Sequence, residues 1–214
     1  MERLPRGRHG LSPEFVARNQ RERLIAGLTE ALYEVGYQKT TVSMIGQRAA
    51  VSKSDFYKHF ESKDECFIAA YDAATERIRE CVTSACAEVA SADWPGRVRT
   101  ATEALLDFLS DQPDLASITL VEGLRAGREV YDRYQRAMDS FVACLNEGAP
   151  SSHPGGEVPE ATGEAVVGGI ASLLGRRVLA GEAERLNELF PEILEFILSA
   201  YLGAEQARRI ISAE

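Results

Sequence analysis

Apolar residues recur at intervals of three and four along almost the whole of this 214-residue chain. That period belongs to helices that bury one face, whereas strands alternate apolar and polar residues. No stretch sustains such an alternation, so the spacing predicts an all-α fold. Leu24, Ile25, Leu28, Ala31, Leu32 and Val35 make the first stripe, predicting a helix over Pro13–Val35 that Gly36 closes from the left-handed region. Thr41 and Ser52 are good N-caps for two short helices separated by a turn at Ala50-Val51. Ser62 caps a long helix over residues 63–90, and Pro95 and Pro113 open the next two, to about Asp111 and Arg125. Another helix follows Gly127, to about Gly148. Ala149–Pro159, rich in Pro, Gly and Ser, reads as the one long loop. Helices over Glu160–Ala180 and Ala183–Leu202 close the chain, the second expected to kink at Pro191.

At 45% hydrophobic and 27% charged residues the chain can build a core, which excludes wholesale disorder. Its longest apolar run, Ala165–Gly175, falls short of the ~20 residues a membrane span needs. The N-terminus is basic but lacks the apolar stretch of a signal peptide, so a cytoplasmic protein without a membrane partner is expected. Cys66, Cys81, Cys86 and Cys144 form no CxxC pair, and His9, His59 and His153 lie far apart. No metal site or cofactor is therefore expected, and the cysteines read as small buried apolar residues. No Gly-rich phosphate loop, HExxH or GxSxG is present, so the chain is not expected to be an enzyme.

The net charge of −9 taken alone argues against nucleic acid, but its distribution reverses the argument. Residues 1–63 hold 11 Lys and Arg against 7 Asp and Glu, net +4, and residues 64–214 hold 13 against 26, net −13. All four lysines (Lys39, Lys53, Lys58, Lys63) lie in the basic part. Such an asymmetry suggests two jobs, one of them with a polyanion. The domain layout that follows is a basic arm over 1–12, a helix-turn-helix domain over 13–62 and a larger helical domain over 63–214.

The informative stretch is Thr41 to Lys63, TVSMIGQRAAVSKSDFYKHFESK. It resembles the N-terminal DNA-binding domain of TetR-type transcriptional regulators, whose motif reads approximately T-x-x-x-I-A-x-x-A-G-V-S-x-G-T-L-Y-x-H-F-x-x-K. The matches are Thr41, Ile45, Ala49, Val51, Ser52, Tyr57, His59, Phe60 and Lys63, with Gly36-Tyr37 upstream. The resemblance covers about residues 20–65. It implies a regulator, most often a repressor released from a near-palindromic double-stranded DNA operator by a small-molecule effector. Phosphates want hydroxyls, cations and helix starts, and Thr41, Ser52, Lys53, Ser54, Tyr57, Lys58, His59 and Lys63 supply them. Ala50 and Ser54 replace glycines of the motif, and Asp55 stands beside the base-reading surface where a small residue is usual. An aspartate there costs affinity unless it pairs with Lys58 or accepts from a base donor such as cytosine N4.

In the larger domain Tyr71, Trp94, Phe108, Tyr131, Tyr134, Met138 and Phe141 either line an effector cavity or fill the core; helical stripes more often mean core. Leu189, Ile193, Ile197 and Tyr201 repeat every fourth residue, beside the small residues Gly168, Ser172 and Gly175. More apolar area than a monomer can cover predicts a two-fold homodimer built on a four-helix bundle of the last two helices. An activator or ligand-independent regulator of the same fold is the alternative reading, and an all-helical enzyme or ligand carrier a remote one.

Overall fold

The computed structural model describes residues 12–89 and 93–212. The basic arm expected over 1–12 falls outside these residues except for Ser12, which caps the first helix by accepting from the Phe15 amide at 3.2 Å. The helices are α1 (Pro13–Val35), α2 (Val42–Ala49), α3 (Lys53–His59), α4 (Lys63–Glu88), α5 (Trp94–Asp111), α6 (Pro113–Leu120), α7 (Arg128–Asn146), α8 (Thr162–Leu179), α9 (Phe190–Leu202) and α10 (Ala204–Ser212). Short 3-10 turns occupy Glu122–Leu124 and Ala183–Leu189. The fold is all-α, with an N-terminal helix-turn-helix.

The chain forms two compact units, Met1–Ala73 and Ala74–Glu214, with the boundary inside α4. In the first, Leu24, Leu28, Ile45, Phe56, Phe60 and Phe67 are completely or almost completely buried. In the second, Leu106, Leu109, Leu174, Leu186, Leu194 and Leu198 anchor the core. All four cysteines are free, and burial pushes the Cys66 thiol up to about 12.

Four local expectations are corrected. The helix expected from Pro113 to Arg125 ends at Leu120 and gives way to the 3-10 turn. The expected loop contains a minimal hairpin, Ser152–His153 (β1) against Gly156–Glu157 (β2). Pro191 does not kink a continuous helix. It sits in the first turn of α9, where its missing N–H has no partner to lose, and a 3-10 turn precedes it. Gly203, at φ 80°, ends α9 and lets the chain form α10, which the spacing did not suggest. No helix among the described residues is long and apolar enough to cross a membrane.

Candidate nucleic-acid interface and internal cavity

The turn between α2 and α3 sets the geometry of the first site. Thr41 Oγ1 accepts from the Met44 amide at 3.3 Å and starts α2. At the other end Ala50 adopts φ 50°, ψ 46°, the left-handed conformation. The Val51 amide donates to the Gly46 carbonyl at 2.9 Å and the Ala50 amide to that of Gln47 at 3.2 Å. This double closure satisfies carbonyls that the helix end would leave unpaired. Arg23 of α1 donates to the Ala49 carbonyl and, at 3.1 Å, to that of Ala50. Two glycines let the backbones meet. A Cβ on Gly46 would lie 2.6 Å from the Val51 carbonyl oxygen, and one on Gly27 3.0 Å from that of Ile45. Sequence reasoning passed over Arg23, Gly27 and Gly46; a glycine within a helical stripe was the available signal for the last two.

On α3, Ser52 and Asp55 make a reciprocal cap. The Asp55 amide donates to Ser52 Oγ at 3.0 Å, and Ser52 Oγ donates to Asp55 Oδ2 at 2.7 Å. Lys58 Nζ then donates to Asp55 Oδ1 at 2.7 Å. Lys58 and Ser52 hold the Asp55 carboxyl below the usual carboxylate range. The aspartate thus turns back onto its own helix. Ser52, Lys53, Ser54, Tyr57 and Lys58 are solvent-exposed.

Two further expected contact residues, His59 and Lys63, pair with groups far along the chain. His59 Nε2 lies 3.1 Å from Gln20 Oε1 of α1, and burial lowers its pKa, which keeps the ring neutral at pH 7. Lys63 Nζ donates to the Tyr37 carbonyl at 2.8 Å and the Thr40 carbonyl at 3.2 Å, and sits 4.0 Å from the centroid of the Tyr37 ring. It braces the loop between α1 and α2.

The second unit holds a half-open cavity of about 700 Å3. Such a volume lies within the roughly 300–1,000 Å3 typical of small-molecule sites. Its walls come from α4 (Val82, Thr83, Cys86), α5 (Trp94, Arg97, Val98, Leu105), α7 (Met138, Phe141, Cys144) and α8 (Val167, Ile170, Leu174), with Ile197 from α9. Burial raises the pKa of both wall thiols, Cys86 and Cys144, so they stay protonated and neutral. Arg97 and Glu147 are the charged residues of the wall. The end of α7 is clamped by side chains of two other helices. Trp94 Nε1 donates to the Leu145 carbonyl at 2.8 Å, an Arg97 amino group to the Glu147 carbonyl at 3.2 Å, and the Tyr201 hydroxyl to Asn146 Oδ1 at 2.5 Å.

Of the residues expected to line a pocket, Trp94, Met138 and Phe141 do. Tyr71 does not, because it is buried within the first unit. Phe108 is half-buried, with the Arg77 guanidinium 5.6 Å from its ring centroid. Tyr131 and Tyr134 stack on one another with centroids 6.4 Å apart, and Tyr131 is exposed.

The stripe expected to form a dimer face turns inward: Leu189, Ile193, Ile197 and Tyr201 are buried in the core of their own unit. Gly175 is buried too, because α8 passes so close to α6 that a Cβ there would lie 3.2 Å from the Leu120 carbonyl oxygen. Gly168 and Ser172 remain exposed on α8. On α8 and α9 the large apolar side chains left outside are Leu179, 60% exposed, and Phe196, 49% exposed, whose ring lies 3.8 Å from where a Gly169 Cβ would be.

Residues 24–70 match the family described as bacterial regulatory proteins, tetR family. An HTH-type transcriptional regulator of Mycobacterium tuberculosis is 26% identical over 146 residues, 68% of this chain and 73% of the relative. The HTH-type transcriptional activator FasR of Mycolicibacterium smegmatis is 29% identical over 108 residues, 50% of this chain and 48% of the relative. The fold is shared with the transcriptional regulator FadR from Bacillus subtilis, solved in complex with stearoyl-CoA. That match has a TM-score of 0.66 at 18% identity and covers 84% of this chain and 98% of the other.

Proposed function

This chain belongs to the TetR family of bacterial regulatory proteins, and from that premise we propose that it is a dimeric repressor whose operator binding is released by a small apolar effector. The observation that carries the DNA-binding half is the outward row of Lys53, Ser54, Tyr57 and Lys58 on a helix fixed by its cap and turn. Hydroxyls and ammonium groups on such a row position a helix on phosphates and reach base edges. His59 and Lys63 act behind it, His59 by tying α3 to α1 and Lys63 by bracing the preceding loop. The cavity supports the effector half, and the stearoyl-CoA held by the Bacillus subtilis regulator makes a compound with an acyl chain the first class to try. An effector that prefers one spacing of the paired recognition helices shifts the population away from the DNA-bound form.

The dimer would use the outer faces of α8 and α9, with Gly168, Gly169, Ser172, Leu179 and Phe196 in place of the buried stripe. Selection from random duplex DNA tests the whole reading. The wild-type chain should enrich a near-palindrome with half-sites about one turn, ~34 Å, apart. Phe196→Glu should give a folded monomer by light scattering that has lost most of its operator affinity. No enrichment by the wild type would end the proposal, and a wild-type monomer at micromolar concentration would end its dimeric part. An activator reading is favoured by one observation, that the Mycolicibacterium smegmatis relative is an activator. The position of the selected site relative to a promoter separates the two.

Asp55 should act as a brake on sequence-independent binding. Its carboxylate holds Lys58, and the depressed pKa keeps that pair intact at neutral pH and loses it as pH falls through the lowered value. Asp55→Asn retains an oxygen for Ser52 and releases Lys58 toward phosphate. On random duplex the slope of log affinity against log salt should then steepen by about 0.9, the value for one further phosphate. Adding Lys58→Ala should restore the wild-type slope. A slope unchanged in Asp55→Asn would show that the pair does not limit Lys58.

A further inference from the structure

The cavity is apolar along most of its wall but not at one end. There the C-terminus of α7 presents its last carbonyls, and α5 supplies their donors from Trp94 and Arg97. Arg97 is the cationic residue among those lining the cavity, and Glu147, the carboxylate of the wall, is solvent-exposed. The guanidinium gives one of its contacts to a neutral acceptor, the Glu147 carbonyl at 3.2 Å. A carboxylate could replace that acceptor with a shorter, charge-assisted and bidentate pair. The space beside the guanidinium is small. Gly148 has φ 72°, and a Cβ on it would lie 2.6 Å from an Arg97 amino nitrogen.

We propose that the cavity takes a single-chain amphiphile with one small anionic head, its chain between α5, α7 and α8 and its head on Arg97. The proposal rests on the effector reading above and narrows it. One guanidinium beside a tight backbone suits a carboxylate, whereas a head carrying several phosphates would call for several cations in the wall. Arg97 would then be the residue that selects the head group, while Val98, Leu105, Phe141, Ile170 and Leu174 accept the chain.

The chain carries its own reporter, because its single tryptophan, Trp94, lines the cavity. Titration of the purified full chain, followed by tryptophan fluorescence, would compare dodecanoate, dodecan-1-ol, dodecylammonium and dodecanoyl-CoA. Dodecanoate should bind at least roughly tenfold tighter than the alcohol, the lower end of what a hydrogen bond to a charged group contributes. The ammonium should bind most weakly. Arg97→Met should bring dodecanoate down to the affinity that the same variant shows for the alcohol, and saturable alcohol binding by that variant reports that the cavity still folds. Arg97→Lys should keep part of the preference. Equal binding of acid and alcohol by the wild type, or a preference that survives Arg97→Met, would overturn the proposal while leaving an apolar effector in place. Tighter binding of the CoA thioester than of the free acid would overturn the small head. Binding of none of the four would overturn this proposal together with the effector reading, and the DNA selection would stand apart from that result.

Discussion

Phe56→Ala should cost the first unit about 3–5 kcal/mol, the range for emptying a fully buried aromatic site. The ring is 0% exposed and is the one fully buried side chain of α3. It packs 5.7 Å from Phe60 and edge-on at 5.4 Å to Tyr57, centroid to centroid. α3 has only 7 residues, and isolated helices shorter than ~12–15 residues are marginal in water, so tertiary anchoring holds it. Amide exchange measures the effect locally. Protection over residues 53–60 should collapse while Leu24 and Leu28 in α1 keep more of theirs. A loss of less than about 1 kcal/mol in denaturant titration, far under the range for such sites, would mean that α3 has another anchor.

Gly46→Ala and Ala50→Gly should have opposite signs and should not add. The motif carries alanine and then glycine at these two positions; this chain carries them in reverse. Ala50 holds a left-handed conformation that costs a residue with a Cβ roughly 1–2 kcal/mol. Glycine removes that cost and returns about half of it as chain entropy, so Ala50→Gly should stabilise by about 0.5–1 kcal/mol. Gly46→Ala drives a methyl to 2.6 Å from the Val51 carbonyl and strains the bond from the Val51 amide back to Gly46. Overpacking of this kind costs about 1–3 kcal/mol. A glycine at 50 lets the turn open and relieve the contact, so the double variant should recover at least ~0.5 kcal/mol beyond the sum of the singles. Thermal unfolding of the four proteins measures this coupling. Strict additivity would show that the two positions are independent.

Local chemistry was the legible part of this chain. Thr41 and Ser52 could be read as caps because a hydroxyl and an amide three residues on are all a cap requires. The pairing of Asp55 with Lys58 was likewise open to inspection, being one turn long. Partners far along the chain were not. Nothing near His59 announces Gln20, and nothing near Lys63 announces the carbonyls of Tyr37 and Thr40. The face of α9 was misassigned because Ile193, Leu194, Ile197 and Leu198 turn inward while Phe196 stays out, and all five are equally apolar in sequence. The cavity was half legible. Trp94, Met138 and Phe141 stood out as large side chains, but a void depends on how helices fail to meet, and Arg97 gave no sign of facing one.

The anchoring of α3 through one buried ring separates what the helix recognises from what holds it. Lys53, Ser54 and Tyr57 face water, and Phe56 alone is fully buried. Substitutions on the outward row therefore leave the stability margin nearly untouched, since exposed positions away from caps and cores usually shift it by no more than about 0.5 kcal/mol. If the outward row reads DNA as proposed, mutational drift can alter the preferred site one residue at a time without passing through unfolded intermediates. A duplicated copy of this chain could then diverge toward a new site on the same scaffold, held by the same phenylalanine.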